Sequence, residues 1–193
     1  THQCVEDIAL MRAIPNMTVI CPADANETAA AVKTLINSKG PCYLRLNRND
    51  YDNVTEQGKT FVIGKPSVLR EGSDVTVFAC GYMVSLALKA ASELEGEISV
   101  RVVNVSTIKP LDREAIIGLT QGCRGVVTAE EHTVIGGLGS AVARALAKTC
   151  KPIEFVGVND TFGCSGHCYQ DVLDYHGLTK EHIMESVRKI GKM

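Results

Sequence analysis

Apolar and polar positions in the first quarter of the chain follow two alternating periods. From Cys4 to Ile14, residues Val5, Ile8, Ala9, Arg12 and Ala13 recur at helical spacing, and Pro15-Asn16 ends the run. Met17 to Cys21 is a short apolar run that predicts a buried strand. Asp24 and Glu27 then form a D-x-x-E capping box, which starts a helix through Ala29, Ala30, Val32, Lys33 and Ile36. Gly40-Pro41 stops it, and Cys42 to Leu46 predicts the next strand. The order α-β-α-β is a piece of a parallel sheet.

Residues 47–66 break the pattern. They are polar and turn-rich, and they predict a linker with one short strand at Thr60 to Ile63. A second α/β pattern begins beyond them. Val68 to Arg70 reads as an edge strand, Val75 to Cys80 as a buried strand, Met83 to Leu94 as a helix and Ser99 to Val105 as a strand. A helix opens at Leu111-Asp112, a strand spans Gly125 to Ala129, and a glycine turn leads into a helix at Ala141 to Lys148. A strand at Ile153 to Val158 and helices at Tyr169 to Tyr175 and Lys180 to Ile190 complete it. The expected organisation is a partial parallel-sheet segment over 1–48, a linker over 49–66 and a three-layer α/β/α domain over 67–193. The partial sheet leaves an unpaired edge and apolar faces. Val19, Ile20, Leu44 and Leu46 are therefore expected to be buried in a dimer.

Composition narrows the class without choosing a reaction. The net charge of −2 gives no electrostatic case for nucleic acid or an anionic membrane. No apolar run approaches the ~18–20 residues of a membrane span. Most of the eight cysteines lie within apolar strands or at element ends, where Cys acts as a small hydrophobe, and a reducing cytoplasm is the expected home.

Several groups are candidates for chemistry. The glycine turn in Thr133 to Ala143 (T-V-I-G-G-L-G-S-A-V-A) lets a helix start close against a sheet, and its amides at Gly136 to Ser140 offer an anion site. Tight packing is the plainer account, because the turn is neither G-x-G-x-x-G nor a P-loop. Glu130, Glu131 and His132 precede it and read as an acid/base cluster or as capping and interface groups. Arg45 and Arg48 follow a strand, where a guanidinium can hold a phosphate or a salt bridge. Cys164, His167 and Cys168 offer only three nearby metal ligands, with no second cluster to complete a zinc site. His2 stands alone near the start.

T-H-Q-C-V-E-D-I-A-L-M-R-A-I-P-N-M-T-V-I-C-P-A-D resembles the pyrimidine-binding domain of transketolases, and G-P-C-Y-L-R-L-N-R continues the likeness. S-T-I-K-P-L-D, T-A-E-E-H-T-V-I-G-G-L-G-S-A-V and D-T-F-G-C-S-G extend it through the second domain. The resemblance implies a thiamine-diphosphate-dependent enzyme that moves a two-carbon ketol unit between sugar phosphates. It is most similar to the C-terminal subunit found where transketolase is split into two polypeptides. By the same resemblance, His2 faces the substrate and assists proton transfer, and Arg48 binds the substrate phosphate. Arg45 matches an arginine seen in the related deoxyxylulose-phosphate synthases, which makes it a second, weaker candidate for the substrate phosphate.

Imidazole and guanidinium chemistry suit these roles. The family's activating glutamate and stacking aromatic precede Thr1 in the motif order, and the diphosphate and its Mg or Ca ion sit on the N-terminal subunit. The resemblance therefore implies a segment inactive alone, with no cofactor or metal of its own. Its expected partners are an N-terminal subunit or segment, a second copy in a homodimer, and sugar phosphates. Cys164 departs from a commonly acidic position. A deoxyxylulose-phosphate synthase is the rival enzyme, against which Asn47 stands where that motif has proline. The β subunit of a 2-oxo-acid dehydrogenase is a weaker rival, and a non-catalytic dimerisation or assembly module is the reading outside enzymes.

Overall fold

A computed structural model describes residues 4–193. The first segment contains α1 (Asp7–Ala13), β1 (Thr18–Ile20), α2 (Ala25–Leu35) and β2 (Cys42–Leu44). β1 and β2 are parallel, with Thr18 opposite Cys42. The next segment contains β3 (Ser67–Arg70), β4 (Val75–Ala79), α3 (Met83–Glu93), β5 (Val100–Asn104), β6 (Thr107–Lys109) and α4 (Arg113–Gly118). Then come β7 (Gly125–Thr133), α5 (Leu138–Leu146), β8 (Ile153–Val158), α6 (Tyr169–Tyr175) and α7 (Lys180–Gly191). The larger sheet has the order β3-β5-β4-β7-β8, parallel except for the antiparallel edge strand β3.

Helices cover both faces of that sheet, so its central strands are mostly apolar where they are covered. Val75, Val77 and Ala79 face one layer, which holds Leu94 of the turn after α3 and Ile183, Val187 and Ile190 of α7. Phe78 faces the other, with Leu138 and Val142 of α5. Ile8, Val19 and Cys21 of the first segment join this second layer. The two segments thus share one core.

The sheets are also joined by hydrogen bonding. β6 leaves the larger domain and pairs antiparallel with β1, giving the small sheet the order β2-β1-β6. Three residues before Pro110 carry too little periodic signal to be read as a strand, and the sequence pattern omits β6. Its arrival covers the β1 edge expected to be open. Val19 and Ile20 are fully buried within their own chain, so they cannot line a dimer surface. Leu46 remains 57% exposed.

Other differences are local. Thr60 to Ile63 forms no strand, and Thr34 instead donates through its hydroxyl to the Phe61 carbonyl. β7 runs four residues beyond Ala129, so Glu130, Glu131 and His132 belong to the strand. The capping box is half formed. Asp24 accepts from Glu27 N at 2.8 Å, whereas the Glu27 carboxylate takes Ala23 N, Asn104 Nδ2 and Ser106 Oγ. Glu27 thereby fastens α2 to the end of β5.

Candidate functional site

Polar side chains gather where the carboxyl ends of β2 and β7 meet the start of α1. Parallel strands leave these ends free for function, because the following loops diverge to opposite faces of the sheet. Arg45, just past β2, lies with Nε 3.0 Å from Asp7 Oδ2. Its Nη1 lies 3.7 Å from Glu131 Oε2 on β7. Tyr43 donates to the same Asp7 oxygen at 2.8 Å. Only 16% of the Arg45 side chain is exposed. Burial opposes its charge, but Cys21, Asp7 and Glu131 outweigh burial and raise its pKa. Burial pushes Glu131 up, against the opposing pull of Arg45, Tyr169 and Asn47. Burial and the Asp7 bond push Tyr43 up to about 12.

Asn47 carries this network to the surface. Its Nδ2 donates to Glu131 Oε2 at 3.0 Å and to the Tyr169 hydroxyl at 2.8 Å. Its Oδ1 accepts from Asn49 N at 3.0 Å, which closes a small turn around Arg48. Tyr82 packs between Tyr51 and Tyr169, with ring centroids 5.0 and 5.6 Å away. Arg48 is exposed and makes no ion pair among the described residues. The two arginines therefore differ. Arg45 is spent on two carboxylates, and Arg48 is presented to solvent on a braced turn. His2 lies outside the described residues.

Asp7 Oδ1 is buried and has no hydrogen-bond partner among the described residues. Pattern reading missed Asp7 because it looks like an ordinary acidic residue in a first helical turn.

The glycine turn holds an anion, and that anion is the chain's own. Glu130 accepts from Leu138 N at 2.6 Å and from Gly139 N at 2.7 Å. The carboxylate satisfies the first amides of α5 and sits where the helix dipole favours negative charge. A Cβ on Gly137 would stand 1.9 Å from Glu130 Oε2, which is why glycine occupies this position. The anion position at Gly136 to Ser140, the lesser of the two readings of this turn, is thus filled from within. His132 is fully buried and accepts from Ala9 N at 3.2 Å through Nε2. It serves packing between segments. Cys164 lies 3.5 Å from His176, and among the described residues no group of three His, Cys, Asp or Glu side chains could hold a metal ion.

The chain as a whole is similar to known proteins in sequence and fold. Residues 64–183 match the model of the transketolase C-terminal domain, and residues 1–53 match that of the transketolase pyrimidine-binding domain. The chain belongs to the transketolase family. The 6-deoxy-6-sulfo-D-fructose transketolase subunit SqwH of Clostridium sp. (strain MSTE9) is 42% identical over 196 residues, covering 98% of this chain and 59% of that protein. An apulose-4-phosphate transketolase subunit of Phocaeicola vulgatus is 34% identical over 194 residues, covering 100% of this chain and 62% of that protein. A solved structure titled "Split gene transketolase, inactive beta4 tetramer" superposes with a TM-score of 0.92 at 45% identity, over 99% of this chain and 62% of its own. This transketolase-family chain therefore spans about three-fifths of the length of these relatives.

Proposed function

We propose that this chain supplies the C-terminal part of a thiamine-diphosphate-dependent transketolase, which transfers a two-carbon ketol unit between sugar phosphates. In this reading the site is completed by an N-terminal subunit or segment. Arg48 binds the substrate phosphate, and His2 moves a proton at a substrate hydroxyl. The observation that carries the reading is the Arg48 guanidinium, exposed on a turn that Asn47 braces against Glu131 and Tyr169. A permanently charged planar group held this way suits a phosphate dianion. Arg45 fits the phosphate role less well, since Asp7 and Glu131 already take its charge.

Thiamine diphosphate supplies the carbon–carbon chemistry when bound. In this proposal its diphosphate and divalent ion are held by the N-terminal part. The contribution of this chain is binding and orientation. Fixing a sugar phosphate by its far end spends remote binding energy on positioning the reacting end.

The test is ketol transfer from xylulose 5-phosphate to ribose 5-phosphate by the complete enzyme with thiamine diphosphate and magnesium. Transfer by the complete enzyme, with none from this 193-residue chain alone, supports the reading. Condensation of pyruvate with glyceraldehyde 3-phosphate, without ketol transfer, would replace it with a synthase. Turnover by the 193-residue chain alone would overturn the division of the site.

A further inference from the structure

A second feature lies on another side of the junction between the two segments. A groove of about 550 Å³ is enclosed by α1, β6, α4 and α5. Arg12, Lys109, Arg113, Arg144 and Lys148 line it, and among the described residues no carboxylate does. Its floor includes the buried side chains Ile108 and Ala145. Several surface cations elsewhere on this weakly acidic chain have acidic partners: Arg188 pairs with Glu97, Arg101 with Glu71 and Arg70 with Glu95. None of the five groove cations makes an ion pair among the described residues.

Three of the five are positioned by main-chain carbonyls. Arg12 donates to the carbonyls of Gly136 and Gly137, the second at 2.8 Å. Lys109 donates to Arg12 O at 2.8 Å and Ile14 O at 2.5 Å. Arg113 Nε donates to Ala145 O at 3.2 Å. A carbonyl orients a cation without neutralising it, and each of these groups keeps further donors. Burial lowers the Arg12 pKa and the like charge of Arg144 adds to that. Glu130 opposes both from the buried side, but its carboxylate is held by two amides of α5. The groove is therefore a concentration of uncompensated positive charge with an apolar floor. Such a site favours an anion with several charges, and its volume is that of a small-molecule pocket.

We propose that this groove binds a small phosphorylated molecule carrying at least two negative charges. Arg12, Lys109 and Arg113 form its fixed wall, and the exposed Arg144 and Lys148 close over the ligand from α5 and its C-terminal turn. Occupancy would draw the first segment and the larger domain together, since Arg12 and Lys109 lie on opposite sides of their junction. The proposal does not depend on the ketol-transfer reading.

Inorganic pyrophosphate is the probe, titrated calorimetrically into the full-length protein at low and at physiological ionic strength. One molecule should bind per chain, and the double variant R144S/K148S should weaken binding at least tenfold. The charge-keeping variant R144K/K148R should stay within twofold of the parent, and R48A should leave this binding unchanged. Absence of saturable binding would overturn the proposal, as would undiminished binding by R144S/K148S. Loss in R48A would put the anion beside Arg48 instead. Loss of binding on assembly with the N-terminal subunit would make the groove a subunit contact and overturn the small-molecule assignment.

Discussion

The Nε2 atom of His132 lies 3.2 Å from the backbone nitrogen of Ala9, across 123 positions of sequence. Nδ1 lies 2.7 Å from the Thr133 carbonyl. Both bonds form together only when the ring carries its proton on Nδ1. Thr133 N also donates to Val5 O at 2.7 Å. The end of β7 thus holds the entry to α1, the helix that presents Asp7 to Arg45. His132→Phe keeps an aromatic ring, larger than imidazole, but leaves the Ala9 amide and the Thr133 carbonyl without this partner. It should cost about 1–3 kcal/mol in urea unfolding. Amide exchange should accelerate in α1 before it does in α7.

Arg45 and Arg48 should separate cleanly under substitution. Arg45→Ala leaves the Asp7 and Glu131 carboxylates facing a low-dielectric space without their cation. A loss of about 2–4 kcal/mol is expected, tempered by the solvent that reaches the site. Differential scanning calorimetry would read it as a lowered Tm.

Arg48→Ala should leave stability within about 0.5 kcal/mol, because the side chain is exposed and unpaired among the described residues. In the complete enzyme it should raise KM for phosphorylated sugars far more than for unphosphorylated ones. An equal effect on both substrate types would remove Arg48 from phosphate binding.

Gly137 and Glu130 form a lock at the start of α5. Gly137→Ala places a methyl group 1.9 Å from Glu130 Oε2 and 2.6 Å from His132 Nδ1. The helix start must shift, at a cost of about 1–3 kcal/mol. Glu130→Gln turns an amide group toward a backbone N–H and should cost a similar amount. If both variants denature at the parent's urea midpoint, the lock contributes nothing.

Asp24 should shape the acid limb of stability. Burial works against its charge, but donors from Glu27 N, Val54 N, Thr55 N and the Thr55 hydroxyl outweigh burial and lower its pKa. The charged form is thus favoured by folding. Its contribution is complete above the ordinary aspartate value of 3.8 and is lost as pH falls through the lower folded value. Asp24→Asn should destabilise the protein at pH 7 and flatten the decline of unfolding free energy at acidic pH. Parallel curves for parent and variant would contradict this assignment.

The sequence pattern exposed most of the large elements, because central strands covered on both faces are predominantly apolar. Val75 to Cys80 and Gly125 to Ala129 needed no tertiary knowledge to be found. β6 was hidden for the opposite reason: three residues have no period, and their strand character comes entirely from β1. The site was legible only in part. The motif singled out both arginines, but their different fates depend on Asp7 and Glu131, which approach from distant elements. Likewise the glycine turn advertised an anion, and only the fold reveals that Glu130, eight residues before Leu138, supplies it.

The pairing of β6 with β1 decides what a break in this chain would do. A cut in the polar stretch between β2 and β3 severs the backbone without parting the sheet. The two pieces would still be held by the β1–β6 ladder, by Glu27 on Asn104 and Ser106, and by the shared core layer. That stretch is a tether and not a hinge. Its two sides, expressed separately, would each bare the apolar surface that the other now covers.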